Sequence, residues 1–339
     1  YKEVVNTYKD DVSRKRGNAE TSTVSRWLDT SKADAKWIDK TVTTTTVFDD
    51  QGRAVDQTQE TYVYKTTLEL AFHNVIKNLN YDNRGDAGEQ HITSYKVVAG
   101  ANVLSDYKVL TNRTYDSSHN ITNQMILTYS DSLSTAPLDV QETRSIGFTS
   151  TGVALEQIIV TYSDKEKTAR IGVKVINNSD ISSGGNVGTR VITNYSTVTF
   201  KDGDSTKDVL SYSGPLDRQT ISMMAADDFD NRGNALHQTV LSEGYVSGAW
   251  KFSSMQDVAN GSIDIYDQTG HSIVKNYSTA TIGSATFTAL EEINYTKYDK
   301  FGNVETQNIK TYTDELSSLL KDYKEVVNTY KDDVSRKRG

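Results

Sequence analysis

Carboxylates are the side chains of this sequence that crowd together most obviously for chemistry. Asp202, Asp204 and Asp208 fall within KDGDSTKD, and Asp227, Asp228 and Asp230 within ADDFDN. Acidic residues at near or alternate positions around a turn are how a loop gathers oxygens for Ca²⁺, which makes both segments candidate Ca²⁺ sites; neither supplies the distal bidentate Glu of a twelve-residue loop. Ordinary Asp-rich turns give the same pattern, because Asp bonds its own backbone two residues on. The five histidines, His73, His91, His119, His237 and His271, are scattered and form no HxxxH or HExxH spacing. The absence of cysteine removes disulfides and thiolate metal sites. With no GxSxG elbow, GxxxxGK(S/T) loop or GxGxxG fingerprint, acyl transfer, nucleotide hydrolysis and dinucleotide binding lose their usual support. The expectation is a non-enzyme without a cofactor, Ca²⁺ aside.

Composition describes the elements that would carry such turns. Tyrosine is abundant at 20 residues and proline scarce at 2; aromatic and β-branched residues suit a pleated surface, while Asn, Asp and Gly supply turns. The net charge is -8, and because residues 323–339 carry +2, residues 1–322 carry -10. Such a polyanion argues against nucleic acid and anionic membranes as partners. No apolar run approaches the roughly 20 residues of a transmembrane helix.

Repetition is the strongest signal. YKEVVNTYKDDVSRKRG at Tyr1 to Gly17 returns letter for letter at Tyr323 to Gly339. The expected organisation is therefore one full period, 1–322, and the start of the next, 323–339, cut from a longer array. Inside the period a shorter unit recurs about ten times at a mean spacing of about 32 residues, each led by an aromatic or apolar residue such as Phe48, Tyr81, Tyr115, Phe148, Ile181, Phe229, Tyr266 or Tyr298. Four places on stands Gly, at Gly52, Gly85, Gly152, Gly185, Gly233, Gly270 and Gly302; nine places on stands Gln, at Gln57, Gln90, Gln124, Gln157, Gln238 and Gln307. Fourteen places on, Tyr closes the unit at Tyr62, Tyr95, Tyr129, Tyr162, Tyr195 and Tyr312.

One unit reads as a β-hairpin: an approach strand, a turn with Asp early and Gly late, and a return strand. The odd interval from Gln to Tyr places them on opposite faces, an amide ladder against an aromatic ladder. Edge-to-edge pairing of about twenty strands spans roughly 96 Å, and a twisted sheet that wide must curl, close or wind. The predicted fold is all-β, tandem hairpins forming a continuous, helically wound sheet, tube or solenoid. Two connecting segments read differently: Leu316, Leu319, Leu320 and Tyr323 have helical spacing within Thr313 to Val327, and Trp27 and Trp37 flank a cover segment.

NYDNRGD at Asn80 to Asp86, FDNRGNALHQT at Phe229 to Thr239 and YDKFGNVETQ at Tyr298 to Gln307 resemble the tyrosine-aspartate (YD) repeats of bacterial rearrangement-hotspot proteins and teneurins. The resemblance implies hairpins strung along a long spiralling sheet in secreted or surface-exposed giant proteins. Units here are longer than in that family, and several are led by Phe or Ile. The functional expectation is a structural protein outside the cell or on its surface, whose partner is itself through neighbouring repeats and windings. The alternatives are an adhesin array or a YD-type shell.

Overall fold

The computed structural model describes residues 1–201 and 209–338. Among them the chain runs as one antiparallel meander. Its first strands are β1 (Lys2–Thr7), β2 (Thr21–Trp27), β3 (Trp37–Phe48), β4 (Ala54–Tyr64), β5 (Leu68–Tyr81), β6 (Ala87–Val98) and β7 (Ala101–Tyr115). The middle holds β8 (Ile121–Tyr129), β9 (Asp139–Phe148), β10 (Ala154–Tyr162), β11 (Arg170–Ile181), β12 (Val187–Phe200) and β13 (Val209–Ser222). The last are β14 (His237–Val246), β15 (Ala249–Gly261), β16 (His271–Tyr277), β17 (Phe287–Tyr298), β18 (Val304–Tyr312) and β19 (Leu320–Val327). Each strand pairs with its neighbours in sequence, from β1 with β2 to β18 with β19, in one open sheet of 19 strands. Two short helices of identical sequence, α1 (Asp11–Arg16) and α2 (Asp333–Arg338), follow β1 and β19.

Strand composition explains the pairing. β3 reads WIDKTVTTTTVF and β10 reads ALEQIIVTY, β-branched runs that pack well on a pleat and lose χ1 freedom in a helix. The densest core lies mid-sheet, where Met125, Leu127, Val140, Ile158, Val160, Tyr162, Val173, Val175 and Val198 pack together. Fully burying such a side chain contributes about 1.5–3 kcal/mol. Glu142 sits among them, fully buried, with Arg144 Nη2 at 3.1 Å and Lys167 Nζ at 2.5 Å; a carboxylate so placed is tolerated only because cations meet it.

Strands of alternating direction send their connections to two edges. On one edge Asp49, Asp82, Asp116, Thr149, Ser182, Asp230, Asp264 and Asp299 begin turns that share a hydrogen-bond pattern: the N–H of the first residue donates to the carbonyl four on, and the N–H three on donates back. The third residue on has positive φ, at Gly52, Gly85, His119, Gly152, Gly185, Gly233, Asp267 and Gly302.

One of these turns corrects the sequence register. The unit read from Tyr266 is led by Ile263, and its turn spans Asp264 to Gln268 with Asp267 at φ 61°. Gly270 is not the turn residue. Its N–H donates to Ser262 O, and a Cβ there would come within 3.0 Å of that oxygen. Gly88 against Asn80 and Gly188 against Asp180 repeat this close approach, with Asn80, Asp180 and Ser262 all at positive φ. Counting fourteen from Ile263 lands on Tyr277, which the first register left out of the closing set.

The helical spacing in Thr313 to Val327 is overruled as well. Leu320–Val327 is strand β19, and Asp314 holds the turn before it by accepting the N–H groups of Ser318 and Leu319. A helix this short is marginal by itself, and the open edge of β18 offers a full ladder instead. The segment after Tyr8 departs from the hairpin unit: it forms helix α1, closed by Gly17 at φ 76°.

Candidate functional site

Some of the recurring residues close the turn or hairpin they belong to, and others tie one hairpin to the next. At the turn edge, Asp49 Oδ1 accepts the N–H groups of Gln51 and Arg53, and Asp82 Oδ1 those of Arg84 and Asp86. Backbone donation from Arg53 and Asp86 holds the Asp49 and Asp82 carboxyls below the usual range; for Asp116 the Asn120 side chain is the leading cause, followed by its backbone N–H. Arginines then bridge turns: Arg84 Nη1 donates to Asp116 O at 2.7 Å, and Arg232 Nη2 to Asp264 O at 2.7 Å. The leading tyrosines reach backwards. Tyr81 Oη donates to Ala54 O, Tyr115 Oη to Ala87 O and Tyr298 Oη to Thr269 O, each a carbonyl of the preceding hairpin.

The amides form a chain across strands. Gln57 donates to Thr45 Oγ1 at 3.1 Å, Asn78 to Gln57 Oε1 at 3.0 Å and Gln90 to Asn78 Oδ1 at 2.8 Å. Gln157 donates to Ser145, while Gln124, Gln238 and Gln307 stand opposite Thr143, Val258 and Tyr295. Asn78 and Asn178 also donate to Ala54 O and Ala154 O of the preceding hairpins. The unbroken β4–β3 and β6–β5 registers between Gln57 and Tyr62 and between Gln90 and Tyr95 put amide and tyrosine on opposite faces.

Closing tyrosines mark a backbone feature absent from the sequence pattern. The pairing register slips at Tyr62, Tyr95, Tyr162, Tyr195, Tyr277 and Tyr312, each against the following strand, and also at Trp27. A bulge bends its strand and increases the local right-handed twist. Tyr129 instead stacks 6.0 Å from Tyr107.

The acidic clusters serve other purposes. Asp202, Asp204 and Asp208 lie outside the described residues. Asp227 lies in a single 3₁₀ turn, Asp228 accepts the Ala225 N–H, and Asp230 accepts those of Arg232 and Asn234. Among the described residues no three His, Asp or Glu side chains gather to hold a metal ion. All five histidines lie within 4 Å of a carboxylate, a pairing that spacing alone did not reveal: His73 with Glu60, His91 with Glu89, His119 with Asp86, His237 with Asp228 and Asp257, and His271 with Glu292. Desolvation pulls the His237 pKa down, but hydrogen bonds to Asp228 and Asp257 outweigh it and the net direction is up. Asp86, which ends the tripeptide Arg84-Gly85-Asp86, is paired with Arg84 and His119.

Contacts also cross between distant strands. Tyr266 Oη donates to Val97 O at 2.5 Å, its ring meets Phe72 edge-on at 5.9 Å, and Lys96 Nζ lies 5.8 Å from the ring centre. Burial pushes the Lys96 pKa down against the pull of Asp264 and Asp299. Lys300 and Phe301 line a cavity of about 320 Å³ with Phe72, Lys96 and Asp106. Burial raises the pKa of Asp139 on β9 against Lys337 and Arg338 of α2. Turns of β15–β18 thus lie against β5–β7, close to the connections on the sheet's other edge. No helix among the described residues is long and apolar enough to cross a membrane.

No protein-family model and no curated protein matches this chain.

Proposed function

We propose that the chain is a structural, non-catalytic protein, one period of a long filament or tube of wound hairpins outside the cell or on its surface. One observation carries this reading. The duplicated segment takes the same strand-and-helix form at both ends of the sheet while pairing through opposite sides, as a repeated joint must. The bulge recurring at the closing aromatic supports winding, since bends of one sense at one level of successive hairpins accumulate. The Tyr266–Val97 contact, between a turn and the far edge 169 residues earlier, is what stacked windings would make. The resemblance to YD repeats agrees with this architecture and supplies the proposed location. Light scattering and negative-stain imaging of the purified chain test the proposal. Concentration-dependent growth into filaments or tubes with a regular axial repeat is expected; a monodisperse monomer at every concentration would sink it.

A further inference from the structure

The strand YKEVV occurs at Tyr1 to Val5, where it pairs with β2, and at Tyr323 to Val327, where it pairs with β18. In an antiparallel ladder alternate residues turn both backbone groups to the same neighbour. Tyr1 N donates to Trp27 O at 2.7 Å, and Trp27 N returns to Tyr1 O at 2.8 Å. Tyr1, Glu3 and Val5 therefore face β2, and Lys2, Val4 and Asn6 turn their groups to the open side. At the other end Asn328, the counterpart of Asn6, donates to Glu305 O at 2.8 Å. That sets Lys324 and Val326 toward β18 and leaves Tyr323, Glu325 and Val327 facing outward. Each copy of the strand uses the groups that the other leaves free.

The helices repeat this complementarity. α2 rests on the Asp299 turn: Lys300 Nζ meets Asp333 at 2.8 Å, Asn303 Nδ2 donates to Arg336 O at 2.6 Å, and Arg336 Nη1 reaches Glu305 at 3.1 Å. The matching residues of α1, Asp11 and Arg14, are exposed.

We propose that the edges of β1 and β18 are two halves of one joint, in which β18 of one copy of this chain receives the Tyr1–Thr7 strand of a second copy in place of its own β19. This rests on the structural reading above and names its partner, surface and register. Thr306 stands opposite Val5, Asn308 opposite Glu3 and Lys310 opposite Tyr1, and α1 of the second copy takes the seat of α2. An identical sequence already occupies that place, so the second copy meets the same pockets and the same charges.

Because the chain has no cysteine, an introduced pair reports unambiguously. Asn308→Cys combined with Glu3→Cys places thiols on a non-hydrogen-bonded pair, where Cα atoms are about 4.5 Å apart and within disulfide range. Within one chain Asn308 faces Glu325 instead. Adding Val326→Pro removes a β18-facing donor and frees that edge. Under mild oxidation a ladder of covalent dimers, trimers and higher species is expected on non-reducing gels, stronger with the proline and collapsed by reductant. A control pairing Asn308→Cys with Lys2→Cys, which points to the opposite face, should stay monomeric. Monomers alone from the proline-bearing chain, or an equal ladder from the control, would overturn the joint. If the proline prevents folding, a peptide of residues 1–17 carrying Glu3→Cys is offered to the Asn308→Cys chain; covalent capture supports the joint and its absence overturns it. Filaments without the in-register ladder would overturn this joint and leave the structural reading standing. A ladder without filaments would do the reverse.

Discussion

The two copies of YKEVVNTYKDDVSRKRG are alike in everything local and unlike in everything they touch. Asp10 caps α1 by accepting the Ser13 N–H at 2.7 Å, and Asp332 caps α2 through Ser335 at 2.8 Å. Arg14 lies 5.8 Å over Tyr8, and Arg336 lies 5.6 Å over Tyr330. Their surroundings differ completely. Near the first copy Trp27 is buried, stacks 4.2 Å from Trp37 and 6.1 Å from Tyr1, and shares Lys32 with Tyr1 and Glu3. Asn18 lies against the Gly52 turn, where its amide nitrogen, once turned toward the carbonyl, would donate to Gly52 O at 3.1 Å. The second copy has the Asp299 turn instead. Helices of six residues do not persist alone in water, so both copies depend on neighbours, and each shows that one side of the segment is enough.

The largest test of that independence is Trp27→Ala. Removing a buried Trp costs about 3–5 kcal/mol, and hydrogen exchange should show Lys2–Thr7 losing protection while Leu320–Val327 keeps it. Equal loosening of both strands would mean that the copies are coupled through the sheet. Next in size is one substitution made at both places. Val326→Pro deletes a ladder donor and leaves its partner carbonyl unmet, at a cost of about 1–3 kcal/mol. Val4→Pro alters an N–H already turned to the open edge, a position where proline is tolerated. The first should unprotect β19; the second should leave β1 protected yet block growth in light scattering. Identical effects would show the backbone alternation to be wrong.

What made the turn edge legible is that its chemistry is local. Asp, Thr or Ser one place after the leading residue and Gly four places after it are set by hydrogen bonds within five residues, so Gly52, Gly85, Gly152, Gly185, Gly233 and Gly302 could be read directly. The Ile263 hairpin misled because Tyr266–Asp267 imitates the leading pair inside another turn, and the distance back from Tyr277 was the signal that could have corrected it. The bulges at the closing tyrosines left no trace, being offsets against a partner strand rather than residue preferences. Tyr266 on Val97, and His237 between Asp228 and Asp257, are products of tertiary placement. Leu316 to Tyr323 carried a helical period that lost to the unfilled edge of β18.

Alkali separates the copies more gently. Burial first, then Tyr295 and Asp264, push the Tyr298 pKa to about 12, above the ordinary value near 10. A pKa raised on folding contributes stability that is intact below pH 10 and is lost as the pH climbs through the folded value. Tyr298 directly precedes the turn that seats α2, whereas the turn beside α1 is led by Phe48, which cannot titrate. Between pH 10 and 12 the C-terminal copy should therefore loosen before the N-terminal one, read by near-ultraviolet absorbance alongside limited proteolysis. Tyr298→Phe should abolish the difference; persistence of the difference in that variant would assign it to other groups.

The smallest expected effect compares the same arginine in its two settings. Arg336 meets Glu305 at 3.1 Å and Asp299 at 3.9 Å, with its side chain 29% exposed. Arg14 has the Tyr8 ring and is otherwise exposed. Partly exposed ion pairs are worth about 0.2–1 kcal/mol, so Arg336→Ala should lower stability by that order, with less effect at high salt, whereas Arg14→Ala should be near neutral in the dispersed chain. If Arg14 gains the seat on assembly, Arg14→Ala should raise the concentration needed for growth by the same few-fold factor that Arg336→Ala costs locally. A variant silent in both states would separate the helix contacts from the strand joint and leave the backbone ladder as what sets the register.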